Sequence, residues 1–436
     1  MIRRSVRTIG RVKLTRSRTI ALLILLLAAT LEVYVHTSRY HVRPPKQDLD
    51  APFYTTCQEP PSPDDTSRPR ANAAFVMLVR NKELDGALKS VASIERKFNR
   101  WFHYPIVFLN NEPWTEEFIT VMSAAVSGEA RFEVIPADEW TFPAWMDPED
   151  ARASIKSQGQ WMIKFAGLET YHHMCRFYSG KFYTLSALQE YKWYWRIEPD
   201  VEFYCDITYD PFVEMEKRGK VYGFTIAVPE GPRTCPSLFR QMSDWKEAHK
   251  IKDTEMWKTM VSPSWVPWPF RSLLAWVWHR DRNGDPWSLC HYWSNFEIAN
   301  LEFFRGRAYQ NLFEYLDSTG GFYYERWGDA PVHSLAVGML LDADKVHHFE
   351  DLGYRHDYWY QCPANAPDGQ LIESTALNAP YDSEREGGIG CRCECDGSKN
   401  RNWPGYCLQK LKAPTVTKRP SLVGMPLTWF LGTRFF

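Results

Sequence analysis

From residue 71 onward, apolar residues recur in runs that alternate between strand-like and helix-like spacing. The runs at 73–80, 104–110 and 131–136 predict three strands, and Thr115 followed by two glutamates predicts the start of a helix after the second strand. Between the first two strands, three- and four-residue spacing predicts another helix, through Leu84, Leu88, Val91, Ile94 and Phe98. Alternating strands and helices favour a parallel sheet with right-handed crossovers, so the sequence predicts an α/β domain with a Rossmann-type nucleotide-binding sheet and helices on both faces.

One predicted strand runs directly into a group of carboxylates, in the string Trp-Tyr-Trp-Arg-Ile-Glu-Pro-Asp that begins at residue 193. Because side chains alternate along a strand, Tyr194, Arg196 and Glu198 share one face, and the residues between them can pack into a core. Pro199 lacks an N–H group, so we expect the strand to end there and Asp200 to lie in the emerging loop. Open α/β sheets bind ligands at such strand ends, although a solvated acidic turn explains these residues equally well.

The first 35 residues predict a membrane anchor. Residues 1–19 contain seven Lys and Arg residues and no acidic residue, and an apolar run from Ile20 to Val35 follows, interrupted only by Glu32. This run is slightly shorter than the roughly 20 residues of a usual spanning helix, which suits the thinner membranes of the early secretory pathway. The positive-inside rule makes 1–19 a cytoplasmic tail and places the rest in the lumen. A cleaved signal peptide is the competing interpretation, but no small-x-small site follows Thr30.

The remaining boundaries follow from composition. Residues 36–70 are rich in proline and poor in large apolar groups, so we expect a lumenal stem without core residues. The folded domain is predicted at 71–412, and 413–436 is a C-terminal tail of unknown role. A formal net charge of −1 gives no sign of a nucleic-acid partner.

The ten cysteines agree with a lumenal location, because an oxidising compartment permits disulfides among them. Their pairing cannot be deduced from spacing. The segment 391–395 with Cys407 resembles a zinc knuckle, but its C-x-C-x-C spacing departs from the usual C-x₂-C arms, so disulfides are the preferred interpretation. No Asn-x-Ser/Thr site occurs in the sequence, so N-glycosylation is not expected.

The second half of the domain contains fewer regular signals. Asp210, Pro211 and Gly219 predict the N-cap, first residue and end of a helix, and a strand at 221–228 follows. Segment 240–290 is rich in Trp and interrupted by prolines, which predicts an insertion packed over the sheet. No glycine-rich phosphate loop occurs, which argues against a dinucleotide enzyme or an ATPase. A phosphate-bearing ligand would then be held by a metal and by cations.

Glu297 is the second carboxylate of interest. It follows an aromatic stretch that begins at residue 291, and we expect it to enter a helix, where a glutamate is often a cap or solvated. Two further groups of polar and aromatic residues lie at 325–334 and 353–363.

Six strings occur in order between residues 75 and 365: Phe75-Val-Met-Leu-Val-Arg-Asn81, Tyr171-His-His-Met-Cys-Arg-Phe177, Tyr194-Trp-Arg-Ile-Glu-Pro-Asp200, His291-Tyr-Trp-Ser-Asn-Phe-Glu-Ile298, Arg326-Trp-Gly-Asp-Ala-Pro-Val-His-Ser334, and Tyr354-Arg-His356 with Cys362-Pro363. Together they resemble the fungal Golgi α-1,2-mannosyltransferases of glycosyltransferase family 15. Segment 240–290 and everything after 365 lie outside the resemblance.

The resemblance implies a single-pass type II Golgi membrane enzyme with a GT-A-like fold. Such an enzyme transfers mannose from GDP-mannose to a mannosylated glycan or glycoprotein, with retained configuration and with Mn²⁺. It places the metal on His356, with Glu198 nearby, where a loop histidine stacked on aromatic rings is the alternative. Arg196 would face the diphosphate and Arg80 the nucleotide, although both suit ordinary salt bridges.

For the transfer itself, the resemblance implies Glu297 as the nucleophile, Asp329 as a ligand of the donor or acceptor sugar, and Tyr171 as a hydroxyl near the acceptor. Tyr171 fits a core position as well, since aromatic residues make up 15% of the chain. Retention is compatible with a covalent intermediate or with a front-face path, and the sequence does not distinguish them.

Two other classes of protein share some of these features. A lumenal glycosidase also uses paired carboxylates, but it needs neither a nucleotide-binding fold nor a metal. A non-catalytic mannan-binding or scaffolding protein would share the anchor and the aromatic residues, but we expect it to lack one of Glu198, Glu297 or His356. The sequence does not show whether the natural acceptor is an N-glycan, an O-linked chain or a glycolipid.

Overall fold

The computed structural model describes residues 16–55, 57–62, 69–264, 266–363, 389–395 and 405–417. The strands within these residues are β1 (Ala73–Leu78), β2 (Ile106–Asn110), β3 (Ala130–Val134), β4 (Trp193–Arg196), β5 (Glu202–Phe203), β6 (Tyr222–Phe224), β7 (Ala227–Pro229), β8 (Cys290–Tyr292), β9 (Glu297–Asn300), β10 (Val346–His348), β11 (Tyr354–His356) and β12 (Trp359–Gln361).

The α-helices of the same residues are α1 (Arg16–Tyr40), α2 (Leu84–Ile94), α3 (Arg100–Phe102), α4 (Glu116–Ala125), α5 (Pro148–Gln160), α6 (Glu169–Arg176), α7 (Pro211–Lys217), α8 (Leu238–Ala248), α9 (Glu255–Met260), α10 (Leu301–Arg305), α11 (Arg307–Thr319), α12 (Gly321–Tyr324), α13 (Asp329–Leu340) and α14 (Tyr406–Lys412). Short 3₁₀ and π segments extend several of them.

A seven-stranded sheet in the order β10-β6-β9-β4-β1-β2-β3 forms the centre of the domain. Strands β1 to β4 pair in parallel, as the alternation of strands and helices predicts. Strand β9 is inserted antiparallel between β4 and β6, and β6 pairs in parallel with β10. The predicted Rossmann-type α/β architecture is confirmed.

Each face of the sheet carries a hydrophobic core. Phe75 and Trp195 pack in the core on one face, and Val76 and Tyr194 pack in the core on the other. The alternation predicted for β4 is therefore correct, but both of its faces are buried. Arg196 is enclosed as well, with 4% of its surface exposed.

Local sequence signals position several elements as predicted. The Thr115 hydroxyl accepts a hydrogen bond from the Phe118 N–H group and caps α4. Asp210 caps α7, and Gly219 follows that helix with φ of 62°, a conformation that glycine adopts without strain. The strand predicted at 221–228 is instead divided, because β7 leaves the main sheet to pair with β8.

The expectation that the stem lacks core residues is wrong for the part around Phe53. Phe53 is buried and stacks on His347 with ring centroids 3.8 Å apart. The Asp50 carboxylate lies 2.5 Å from Nδ1 of His347, and Cys57 is joined to Cys391 by a disulfide. Low overall hydrophobicity misled the prediction, because a few anchoring residues are enough to fix an extended segment against a folded surface.

The Trp-rich insertion packs on the sheet indirectly. Its helices α8 and α9 lie against α13, and Trp245, Met256 and Trp257 contribute to the core that also contains Tyr194. A 3₁₀ segment, Phe270–Trp276, follows and is largely exposed.

Eight of the ten cysteines form disulfides: Cys57–Cys391, Cys205–Cys393, Cys290–Cys407 and Cys362–Cys395. Cys175 and Cys235 are buried thiols. The interpretation of 391–395 as a disulfide segment rather than a zinc knuckle is confirmed.

Helix α1 contains the apolar run predicted to be an anchor. It is 25 residues long, is apolar enough to cross a membrane, and buries none of its apolar run in the protein. Such a helix fits a single-pass membrane anchor.

Candidate active site

The carboxyl edge of the central sheet holds a guanidinium group between two carboxylates. Arg196 is the last residue of β4, and its Nε donates to Oε1 of Glu198 at 2.7 Å. Its Nη1 donates to Oδ2 of Asp329, the first residue of α13, at 2.5 Å. The Tyr178 ring lies 3.5 Å from the guanidinium carbon. These contacts fix the two carboxylates with respect to each other, because the guanidinium fork is rigid.

The single Arg196 cation affects the two carboxylates differently. Burial alone would raise the pKa of Asp329, but the Arg196 guanidinium holds it below its usual value. Burial raises the pKa of Glu198, and Arg196 offsets this only in part. A cation beside Glu198 would therefore favour its ionised form.

Glu297 lies on the neighbouring strand. It is the first residue of β9 and pairs directly with Arg196 across β4 and β9, so the expectation that it enters a helix is wrong. The alternating period that marks a strand is hidden here, since β9 is short and buried on both faces.

The Glu297 carboxylate is enclosed by hydrogen-bonding partners. Tyr222 donates to Oε1 at 2.7 Å, Tyr194 donates to Oε2 at 2.8 Å, and Nδ1 of His333 lies 2.7 Å from Oε1. Neither the Glu297 nor the His333 side chain is exposed to solvent. The network orients the carboxylate firmly, with two of the three contacts on Oε1 and one on Oε2.

His356 ends strand β11 at the hairpin that leads to β12. Its ring stacks on Trp293 with centroids 5.1 Å apart, and burial lowers its pKa. The predicted alternative, a loop histidine stacked on aromatic rings, therefore describes part of its environment. Arg196 and Asp200 are among the charges that act on its pKa, so His356 lies near the acidic strand end.

The donor groups of His356 and Glu198 fit a divalent metal. The Nδ1 atom of His356 faces the Asn295 amide, whose Oδ1 atom is buried without a hydrogen-bond partner. If the Asn295 amide is turned, its Oδ1 atom accepts a hydrogen bond from the Nδ1–H group of His356. The Nε2 atom of His356 then carries the lone pair that can bind a metal. Among the described residues, Oε2 of Glu198 receives no hydrogen bond either. A nitrogen and a carboxylate oxygen are competent ligands for Mn²⁺.

Arg80 follows β1 and forms a salt bridge with Glu83 through both its Nε and Nη2 groups. The salt-bridge interpretation of Arg80 therefore describes its environment. The Glu83 charge also acts on the pKa of Glu198, so this pair lies near the same edge of the sheet.

Tyr171 lies in α6 and joins the site through a second arginine. Nη1 of Arg326 lies 3.4 Å from the Tyr171 hydroxyl, and the Phe165 ring is 5.0 Å from the Tyr171 ring. Nη2 of Arg326 also pairs with Glu230 at 3.2 Å. Burial raises the pKa of Tyr171, and the Asp329 carboxylate raises it further. Tyr171 therefore lies close enough to Asp329 to be affected by its charge.

Several residues of the site were not singled out from sequence. Ser294 donates to Asp329 at 2.7 Å, and both Ser294 and Asn295 belong to the string that contains Glu297, so their position was a usable signal. Tyr178 and Glu230 lie in segments without a motif, and only the fold brings them here.

Comparison with known proteins identifies the family of this chain. The family model described as glycolipid 2-alpha-mannosyltransferase matches residues 35–370. The O-glycoside alpha-1,2-mannosyltransferase homolog 4 of Schizosaccharomyces pombe is 42% identical over 347 residues, which cover 75% of this chain and 73% of the relative.

The chain belongs to the glycolipid 2-alpha-mannosyltransferase family. Two solved structures place this mannosyltransferase among GT-A-like enzymes. Core-mannan synthase A (CmsA/Ktr4) of Aspergillus fumigatus, solved in an Mn/GDP form, is 36% identical with a TM-score of 0.65, and the match covers 78% of this chain and 91% of that chain. The mannosyltransferase Ktr4p of S. cerevisiae, solved with GDP, is 30% identical with a TM-score of 0.68, and the match covers 92% of both chains.

Proposed function

We propose that this mannosyltransferase moves mannose from GDP-mannose to the 2-hydroxyl group of an α-mannoside in protein glycosylation, with retained configuration and with Mn²⁺. The bond from the anomeric carbon to the acceptor oxygen forms, the bond from that carbon to the β-phosphate oxygen of GDP breaks, and the proton of the acceptor hydroxyl passes to the departing phosphate or to water. The observation that carries the proposal is the fixed group Arg196, Glu198 and Asp329 beside His356, at the edge where α/β sheets bind nucleotides. The similar Aspergillus enzyme was solved in an Mn/GDP form.

Glu198 and His356 would hold the metal in this proposal. Held there, Mn²⁺ would supply positive charge to stabilise the diphosphate leaving group. Arg196 is already paired with two carboxylates, so its part is to position Glu198 and Asp329 beside the diphosphate. Arg80 would leave its salt bridge with Glu83 and contact the nucleotide instead.

Glu297 provides a negative charge next to the anomeric carbon. Because its side chain is enclosed and held by Tyr194 and Tyr222, the role we assign to it is electrostatic stabilisation of the developing cation, not a covalent bond to the sugar. Asp329 binds a sugar hydroxyl, and Tyr171, held by Arg326, binds the acceptor.

The test is an assay of the purified full-length protein in detergent with GDP-mannose and methyl-α-mannoside, with and without Mn²⁺. We expect a disaccharide that α-1,2-mannosidase cleaves, formed only with the divalent metal. An α-anomeric product by NMR supports retention. Mannan binding without any turnover would favour the scaffolding protein instead.

We further propose that α1 anchors the enzyme in the Golgi membrane with the catalytic domain in the lumen. The basic residues before the apolar run and the four disulfides support this orientation. Protease treatment of sealed Golgi vesicles tests it, because a lumenal domain is protected until detergent is added.

A further inference from the structure

The insertion exposes an uncharged apolar surface between residues 268 and 278. Five large side chains are 41–82% exposed, and we call them the 268–278 face: Trp268, Phe270, Leu273, Trp276 and Trp278. The one charged residue in this stretch is Arg271, whose side chain is 3% exposed. Large apolar side chains exposed together in one segment indicate an interaction site.

The 268–278 face is attached to the end of the anchor helix. Glu32, which interrupts the apolar run of α1 near its C-terminal end, accepts a hydrogen bond from the Trp268 N–H group at 2.6 Å and pairs with Arg271 at 2.7 Å. Eight residues further along α1, Tyr40 donates to Asp285 at 2.5 Å. These contacts place the face at the level where the helix leaves its apolar run.

The length of that run indicates where the membrane surface lies. From Ile20 to Val35 it spans 16 residues, or about 24 Å of helix, against about 30 Å for a typical hydrocarbon core. Membranes accommodate such a short span by thinning or by drawing flanking groups into the interface. Trp is the residue most typical of that interface. Trp268 contacts α1 at Glu32, and Trp276 and Trp278 are exposed in the same segment.

We propose that the 268–278 face inserts into the interfacial zone of the bilayer that α1 spans. The domain then rests on the membrane with a fixed orientation, held by α1 and by the face together, instead of hanging from a stem. Because Arg271 is buried against Glu32, its positive charge does not lie on the surface that would enter the bilayer. The proposal depends on the anchor and is independent of mannosyl transfer.

A fluorescent label that reports its surroundings tests the proposal in the full-length protein. Trp276→Cys accepts an NBD label, and the native thiols Cys175 and Cys235 are buried. Val134→Cys is the matched control, because Val134 is 48% exposed on β3. The labelled proteins are reconstituted into phosphatidylcholine vesicles. Quenching of the NBD fluorescence by iodide is then measured with iodide on each side of the membrane.

We expect quenching at position 276 to be several-fold weaker than at position 134, with a blue-shifted emission. Equal quenching at the two positions would overturn the proposal. Protection at 276 that disappears when the protein is diluted in lipid would also overturn it, because a second copy of the chain would then cover the face. If the protein does not float with the vesicles, α1 is not a membrane anchor, and the proposal for the 268–278 face is overturned as well.

Glu32→Gln, combined with the label at 276, tests the link to the anchor. We expect protection at 276 to fall while quenching at 134 stays the same, because Arg271 loses its partner. A melting temperature in detergent close to the wild-type value excludes unfolding as the cause. Unchanged protection would contradict the role of Glu32 in placing the face.

Discussion

Arg196 and Glu297 face each other directly across strands β4 and β9, although about a hundred residues separate them along the chain. Directly opposed residues of an antiparallel pair share a face, so both side chains leave the sheet on the same side. Tyr194, two residues before Arg196, donates to Glu297 on that side. The insertion of β9 next to β4 therefore unites two motifs that are distant in sequence.

Glu297→Gln keeps the shape of the side chain and removes its charge. If Glu297 stabilises the transition state, kcat should fall by about a hundred-fold or more while GDP-mannose binding stays close to wild type. Steady-state kinetics and calorimetry on one preparation measure both. Glu302→Gln, on the exposed start of α10, is the control and should leave kcat unchanged.

The structural alternative gives a different result for the same variant. If Glu297 only completes the buried network with Tyr194, Tyr222 and His333, Glu297→Gln should lower the melting temperature and leave turnover largely intact. A stable variant with near-normal kcat would contradict any catalytic role.

His356→Ala should weaken Mn²⁺ and GDP binding together, because in the proposed site His356 would hold the metal and the metal would favour binding of the diphosphate. Calorimetric titration of GDP with and without Mn²⁺ measures the effect. His249→Ala, an exposed histidine stacked on Trp245, is the control. Unchanged GDP affinity in the presence of Mn²⁺ would remove His356 from the site.

Asn295→Ala should reduce Mn²⁺ affinity by about 10- to 100-fold, the usual effect of removing a group that orients a metal-binding histidine. Asn295→Asp, which keeps an acceptor for Nδ1–H, should restore much of the affinity. Equal Mn²⁺ affinity in the wild type and in Asn295→Ala would show that the His356 ring needs no hydrogen-bond partner at residue 295.

A fragment that begins at residue 71 should be much less stable than one that begins at residue 42. The shorter fragment loses the buried Phe53 ring and the Cys57–Cys391 disulfide, each worth about 2–5 kcal/mol. Thermal unfolding compares the two, and Phe53→Ala in the longer fragment isolates the ring. Equal melting temperatures would show that the 42–70 segment adds nothing to the domain.

The stability of the domain should depend on pH through Asp210. Burial raises the pKa of Asp210 to about 6, above the value of an unfolded aspartate. The folded state then binds this proton more tightly, so the contribution of Asp210 is largest below about pH 4 and is lost as the pH rises through 6, by up to about 3 kcal/mol.

Asp210→Asn retains an N-cap and removes the titration. In denaturant unfolding between pH 4 and 7, the variant should show a flatter profile than the wild type and equal or greater stability at pH 7. A wild-type profile that rises from pH 4 to 7 in parallel with that of the variant would contradict the assignment.

Local signals in the sequence were enough for the first half of the fold. Strands β1 to β3, the Thr115 cap and the alternating faces of β4 follow from hydrophobic period and capping chemistry, which act between neighbouring residues. The six matching strings also pointed to the family and to the residues that meet near Arg196.

The sequence by itself determined the apolar anchor run, the α/β alternation and the chemical types present at the site, because each depends on residues close together in the chain. Only the tertiary structure decided that Glu297 lies in a strand opposite Arg196, that Phe53 completes the domain, and which cysteines pair. Apart from the Cys362–Cys395 disulfide, these contacts join segments 100 or more residues apart. Their energy comes from burial and hydrogen bonds that exist only after the chain has folded, so no local pattern encodes them.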